Sequence, residues 1–203
     1  GVALLDLVNK EKGAELLERI TRIRREAATD LGLVVPRIRI IDNMTLEPSE
    51  YCFKIKGIEA GRSKLKLGYY MCMNTGGVIK EMQGEATKDP AFGMPAIWVP
   101  EEKRQEAENA GYVAVDPPTI VSTHMTEIIR AHAADILGLK EVGQIINTIR
   151  EKNKDVVEAV IDNAKFTYAQ IEKVLQNLLR EQVSIRNIEL ILETLANYGP
   201  QIS

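Results

Sequence analysis

The sequence predicts an α+β protein, and three observations carry that prediction. Apolar residues alternate at strand spacing around Tyr51–Ile55, Ser63–Met73 and Ala96–Val99. Helical patterns interleave with these runs through the first two thirds of the chain. After Gly138 the strand patterns stop and helix follows helix, so a separate helical domain is expected to begin near residue 137.

Residues 2–8 form a short apolar run. Leu16, Ile20, Ile23, Ala27 and Leu31 then mark one face of a helix, with Arg19, Arg22 and Arg25 on a solvated face. Pro36 stops the helical register, and Ile38 and Ile40 alternate with Arg37 and Arg39 as a strand ended by an Asp42-Asn43 turn. This strand is expected to pair with the next one, Tyr51–Ile55, through the loop holding Pro48. Alternation from Ser63 to Met73 is interrupted by Gly68, and Asn74-Thr75-Gly76-Gly77 is a strong turn signal. A strand over Ala96–Val99 leads to a helix opening at Pro100, with Glu101 and Glu102 at its positive end and Gly111 closing it. Tyr112–Val115 reads as a short strand, and after the Asp116-Pro117-Pro118 break a helix is expected over Thr119–Leu137. In the helical part the apolar faces are Val142, Ile145, Ile146 and Ile149, then Val156, Val157 and Val160, then Tyr168, Ile171, Val174, Leu175 and Leu178, and last Ile188, Leu190, Ile191, Leu192 and Leu195.

Composition bounds the function. With 203 residues, 45% hydrophobic and 27% charged, the chain can bury a sizeable core. Twenty-six Lys and Arg against 29 Asp and Glu give a net charge of -3, which argues against a dedicated nucleic-acid surface. Phe166–Ser184 and Ile185–Tyr198, broken at Gln182-Val183-Ser184, have a helix-turn-helix outline, but Glu189, Glu193 and Asn197 on the second helix would repel phosphates. Cys52 and Cys72 lack metal spacing and fit a reducing compartment. No apolar run reaches the 18 or so residues of a membrane span, and no leader pattern opens the chain. It begins without Met and stops at Gln201-Ile202-Ser203, so it is expected to be cut from something longer.

The search for chemistry returns few candidates. Phosphate loops, zincin motifs and nucleophile elbows are absent from the sequence. His124 and His132 lie eight residues apart on one expected helix without nearby Cys, so no metal or cofactor is expected. An acid/base pair of His124 with Asp42 or Asp116 is the enzyme alternative. The most constrained stretch is EATKDPAFGMPAIWVP, Glu85 to Pro100. Asp89 before Pro90 is steered from helical angles and free to cap, Pro90 has a preset φ, and Gly93 lets the chain leave the turn. Phe92, one of three Phe, is either pinned to a core or presented to a partner.

Four strings carry a family resemblance: LERITRIRREAATDLGLVVPRIRIIDN (17–43), DPAFGMPAIWV (89–99), GYVAVDPPTIVSTH (111–124) and VLQNLLREQVSIRNIELILETLA (174–196). In this order, and over essentially the whole chain, they resemble the FlhA family, the large export-gate component of the flagellar type III secretion apparatus. Injectisome paralogues share the last string's type, whereas DPAFG and THMTEII look flagellar. The resemblance implies a fragment of the cytoplasmic region without the amino-terminal membrane helices and without the final subdomain. It implies a discontinuous α/β first subdomain (1–67 and 117–136), an inserted α/β second subdomain (68–116) and a helical third (137–203). It also implies a non-enzymatic platform on the cytoplasmic face of the bacterial inner membrane. That platform docks flagellar export chaperones with their substrates, meets the ATPase complex and other gate subunits, and closes into a homo-oligomeric ring, nonameric in the full protein. The positions that match the family's chaperone-binding dimple are Asp89, Phe92, Val115, Ile120 and Thr123, with Pro90 and Gly93 as loop scaffold. The chain departs from the family at Ile41, Thr75 and Ser184; Thr75 lies near the second subdomain's face and Ser184 in the helical part.

Overall fold

A computed structural model of the chain describes residues 1–9 and 13–199; the terminal Gln201-Ile202-Ser203 lies outside the described residues. Its elements are mixed helix and strand, as the patterns predict. Backbone contacts divide it into two units, one of Gly1–Ile23 and Ile38–Ile128, the other of Arg24–Arg37 and Ile129–Ser203.

The first unit opens with a 3-10 turn, Val2–Leu7, and the beginning of α1 (Ala14–Asp30). Leu16, Ile20, Ile23 and Ala27 are buried as the helical spacing requires. Strands β1 (Glu50–Ile55) and β2 (Ile58–Lys64) form an antiparallel hairpin from Glu50↔Lys64 to Ile55↔Ile58, with a bulge after Phe53. Its two-residue turn has φ 51° at Lys56 and φ 81° at Gly57, both positive as a type I′ turn demands.

Here the structure corrects the sequence reading. The partner of Tyr51–Ile55 is β2, and residues 37–40 join no ladder. Alternation reports which face is apolar; it does not report whether a second strand lies beside the backbone.

A four-stranded antiparallel sheet completes this unit, in the order β4 (Glu85–Lys88), β5 (Pro95–Pro100), β3 (Tyr69–Met73), β6 (Val113–Val115). Strand β4 was not predicted, because Glu-Ala-Thr-Lys is a polar edge whose burial is slight. Cys72, Val99 and Ala107 form a buried core between the sheet and α2 (Arg104–Asn109), with Tyr70, Ile97 and Tyr112 packed on it. Burial in that core raises the Cys72 thiol pKa to about 11, which makes it an inert packing residue. Gly111 closes α2 at φ 97°, and a Cβ there would sit 1.9 Å from the Gly77 carbonyl oxygen.

Helix α3 (Pro117–Ala131) begins two residues before the expected start. The Asp116 carboxylate accepts from the Thr119 amide at 3.1 Å, and prolines suit a first turn whose amides have no helical acceptor. The expected single helix to Leu137 is broken at His132, after which α4 spans Ala133–Ile136.

The second unit is helical: α5 (Leu139–Lys152), α6 (Lys154–Val157) running into a π turn (Glu158–Asn163), α7 (Tyr168–Arg180) and α8 (Ile188–Tyr198). Its centre holds Leu137, Val142, Ile146, Ile171, Leu175 and Leu192, all fully buried. Thr167 and Gln170 cap α7 reciprocally, and the Glu141 carboxylate accepts from the Gly138 amide at 2.9 Å. The link between α7 and α8 is longer than the expected three-residue break. Gln182 takes φ 61°, and Ile185 is buried with its amide donating to the Leu31 carbonyl at 2.8 Å.

Candidate docking site

The DPAFG string together with Met94 forms the six-residue connection of the β4–β5 hairpin, closed below by Lys88↔Pro95. Asp89 organises it three times over. Its amide donates to the Met94 carbonyl, its carbonyl accepts from the Gly93 amide, and its carboxylate accepts from the Phe92 amide, all at 2.8 Å. Gly93 supplies φ 72° where a side chain would be strained. The backbone is therefore pinned from within, and Asp89 is buried while Phe92 is 63% exposed. Of the two directions open to Phe92 from sequence, the structure takes the outward one. Trp98, four residues past the turn's end, goes inward opposite Met71.

The Asp89 carboxylate lies within electrostatic reach of His124 on α3 and Tyr51 on β1. His124, on α3, is buried, and its Nδ1 lies 2.7 Å from the Tyr51 hydroxyl. The Tyr51 and Phe53 rings stand edge-on to the imidazole, with centroids 5.6 and 5.0 Å away. Burial pushes the His124 pKa below its usual value, and the Asp89 charge acts on it in the opposite sense. Burial likewise pushes the Tyr51 phenol far above its usual range, with a smaller contribution from Asp89 and an opposing Ser63 hydrogen bond. Asp89 is thus the electrostatic neighbour of both side chains. The imidazole's partner is a phenol rather than Asp42 or Asp116, and Asp116 is occupied in capping α3.

The remaining predicted positions differ among themselves. Val115 is half-buried at the end of β6 opposite Met71, and Thr123 is half-buried on α3 next to His124. Ile120 is only 2% exposed, so it holds α3 to the core rather than offering surface. Pro90 is half-buried and Gly93 exposed, as a turn's shoulder and tip should be. The sequence reading missed Tyr51 and Phe53 as the seat of this arrangement. Their signal was there, two aromatics on alternate residues of one strand, but nothing local says that α3 covers them. Among the described residues no group of three His, Cys, Asp or Glu could hold a metal ion.

Comparison with known proteins decides the family. The family model described as the FHIPEP family matches residues 1–203. The chain belongs to the FHIPEP family. Among its relatives, the flagellar biosynthesis protein FlhA of Treponema pallidum (strain Nichols) is 55% identical over 199 residues, covering 98% of this chain and 28% of the relative. The FlhA of Bacillus subtilis (strain 168) is 44% identical over 199 residues, covering 98% and 29%, and that of Escherichia coli (strain K12) 37% over 200 residues, covering 98% and 29%. This FHIPEP chain therefore spans less than a third of the relatives it matches. The Chlamydia pneumoniae CdsV, solved in a complex with CdsO, superposes with a TM-score of 0.75 at 22% identity over 91% of this chain and 56% of that one. The nonameric EPEC SctV-C gives 0.66 at 17% identity over 93% and 57%. At such identities these neighbours establish the shared fold, and among the described FHIPEP residues no helix is long and apolar enough to cross a membrane.

Proposed function

We propose that this chain is a non-enzymatic docking platform of the flagellar type III export gate, receiving export chaperones with bound substrates on the surface carrying the DPAFG loop. One observation carries the reading: Phe92 stands 63% exposed on a turn whose backbone is fixed by three Asp89 hydrogen bonds. A preorganised, exposed aromatic loses little conformational entropy when it is buried by a partner, which is how interface anchors gain affinity. In this reading Thr123 and Val115 form the opposite wall, Asp89 sets the loop, and Ile120 supports α3 from beneath. The flagellar branch is preferred to the injectisome one because the FlhA relatives reach 55% identity whereas the secretion-system structures stand near 20%.

The three-part division into 1–67 with 117–136, 68–116 and 137–203 belongs to the same proposal. So do a ring of such chains, supported by a nonameric neighbour, and contact with other export components, supported by a neighbour solved with CdsO. The place of action is the cytoplasmic face of the inner membrane, with the membrane reached through parts of the longer protein. The test is titration of a purified flagellar chaperone–substrate complex against the chain and its Phe92→Ala variant by calorimetry. A loss on the order of 2 kcal/mol, about thirtyfold in Kd, is expected. Equal affinities would remove the docking site from this loop.

A further inference from the structure

The strand registers put three connections of the four-stranded sheet at one end. Met73 pairs with both Ala96 and Val113, and Lys88 with Pro95, so β3 stops, β6 starts and the β4–β5 connection turns on the same side. What that end shows to solvent is apolar: Phe92, Ile79 and Val113 are exposed, Ile79 to 86%. The opposite end, where Tyr69 pairs with Pro100 and Glu85 with Trp98, is charged. Its one exposed large apolar side chain among the described residues, Leu67, stands among Lys66, Glu85, Glu101 and Glu102, and Lys66 is ion-paired with Glu85. Single exposed apolar residues are ordinary on any surface, whereas a group of them gathered at one end of a sheet points to a contact.

Ile79 is held at this end much as Phe92 is. Its amide donates to the Ala110 carbonyl at 2.9 Å, where α2 closes and three residues before β6 begins. On one side of it Gly77 lies against Gly111, the close approach that leaves no room for a Cβ at position 111. On the other side the Met82 amide donates to the Tyr112 hydroxyl at 3.1 Å, and Met82 packs on the Cys72, Val99 and Ala107 core. The β3–β4 connection is thus pinned before and after a side chain that stays almost wholly in water. The amides of Ile79, Asp89, Phe92 and Gly93 all have acceptors within the chain, so a partner meets side chains here and adds no strand. With β4 and β5 at one edge of the sheet and β6 at the other, two to three strand spacings set the two projections on the order of 12 Å apart.

We infer that Ile79 is a second anchor of the docking surface, and that a chaperone–substrate complex spans this end of the sheet from Phe92 to Ile79 and covers Val113 as well. The inference rests on the docking reading above and enlarges its footprint. The occupant is the one assigned to Phe92 because both anchors stand at one sheet end, and the sheet itself fixes their spacing. It also states what the partner must offer: two apolar contact points on the order of 12 Å apart on one rigid face. A partner with only one of them would bind through Phe92 alone and more weakly. Two anchors on pinned backbone lose little freedom on binding, so their spacing selects among partners as well as holding them.

Calorimetric titration of a purified flagellar chaperone–substrate complex against the 203-residue chain and its variants tests this. Ile79→Ala is expected to weaken binding about tenfold, and Leu67→Ala, at the charged end, to leave Kd within about twofold. The urea midpoint of Ile79→Ala is expected to match the parent's, since so exposed a side chain holds no core, and a loss of binding is then not a loss of folding. Parent affinity in Ile79→Ala beside weakened binding in Phe92→Ala overturns this inference and leaves the docking site on the DPAFG loop. Equal weakening by Leu67→Ala also overturns it, since the contact would then be unselective. Sedimentation that shows self-association lost in Ile79→Ala, with chaperone affinity unchanged, assigns this end to a second copy of the chain and overturns it too. Parent affinity in Phe92→Ala removes the docking reading, and this inference with it.

Discussion

Phe92 and Asp89 divide the work of one turn between presentation and support. Phe92→Ala removes an exposed ring and is expected to leave stability within about 0.5 kcal/mol, so lost binding would not be lost folding. Asp89→Ala removes the acceptor of the Phe92 amide and is expected to cost about 1 kcal/mol by urea denaturation. His124 gives a pH dependence whose sign follows from its burial. Its folded pKa lies below its unfolded value, so the unfolded chain binds the proton more readily. The stability it supports is present above about pH 6.5 and declines as pH falls below that value. The urea midpoint is expected to drop between pH 7 and pH 5, and His124→Gln is expected to flatten that drop. A variant titrating with the parent's slope would move the dependence to other groups.

At the scale of elements, the corner between α2 and β6 depends on Gly111. A side chain there meets both φ 97° and the Gly77 carbonyl, which is backbone and cannot swing away. Gly111→Ala is expected to destabilise by at least about 2 kcal/mol, measured by the same denaturation. In the helical unit, Thr167→Ala removes one half of a capping box and should cost about 1 kcal/mol. Much of this was readable in the chain. The alternation Tyr51, Phe53, Ile55 placed β1, and the apolar stripes placed α5 and α7. What was misread were the relations between elements. Ile55-Lys56-Gly57-Ile58 closes a two-residue hairpin at once, a local pairing with little loop entropy to overcome, whereas the Ile38/Ile40 alternation found no partner. Glu85–Lys88 became a strand through its β5 neighbour, with little apolar pattern of its own.

Over the whole molecule, the two units have separate buried centres, Cys72, Val99 and Ala107 in one and Val142, Ile171, Leu175 and Leu192 in the other. Leu175→Ala is expected to cost about 2–5 kcal/mol of the helical unit's stability. Hydrogen exchange should show faster opening at Val142 and Ile171, with Met71 and Val99 left close to their original rates. Acceleration equal in both centres would mean that they unfold as one.

The sequence by itself determined the mixed class, the run of helices in the last third of the chain, the turn at Asp89–Gly93 and the family, because each is written in local spacing or in a string of matched residues. Only the tertiary structure decided that Phe92 faces outward while Ile120 faces inward, that His124 rests on Tyr51, and that residues 38–42 border an open groove. The reason is physical: periodicity and turn chemistry act over a few neighbouring residues. Burial and a hydrogen-bond partner 73 positions away depend on what the rest of the chain brings alongside.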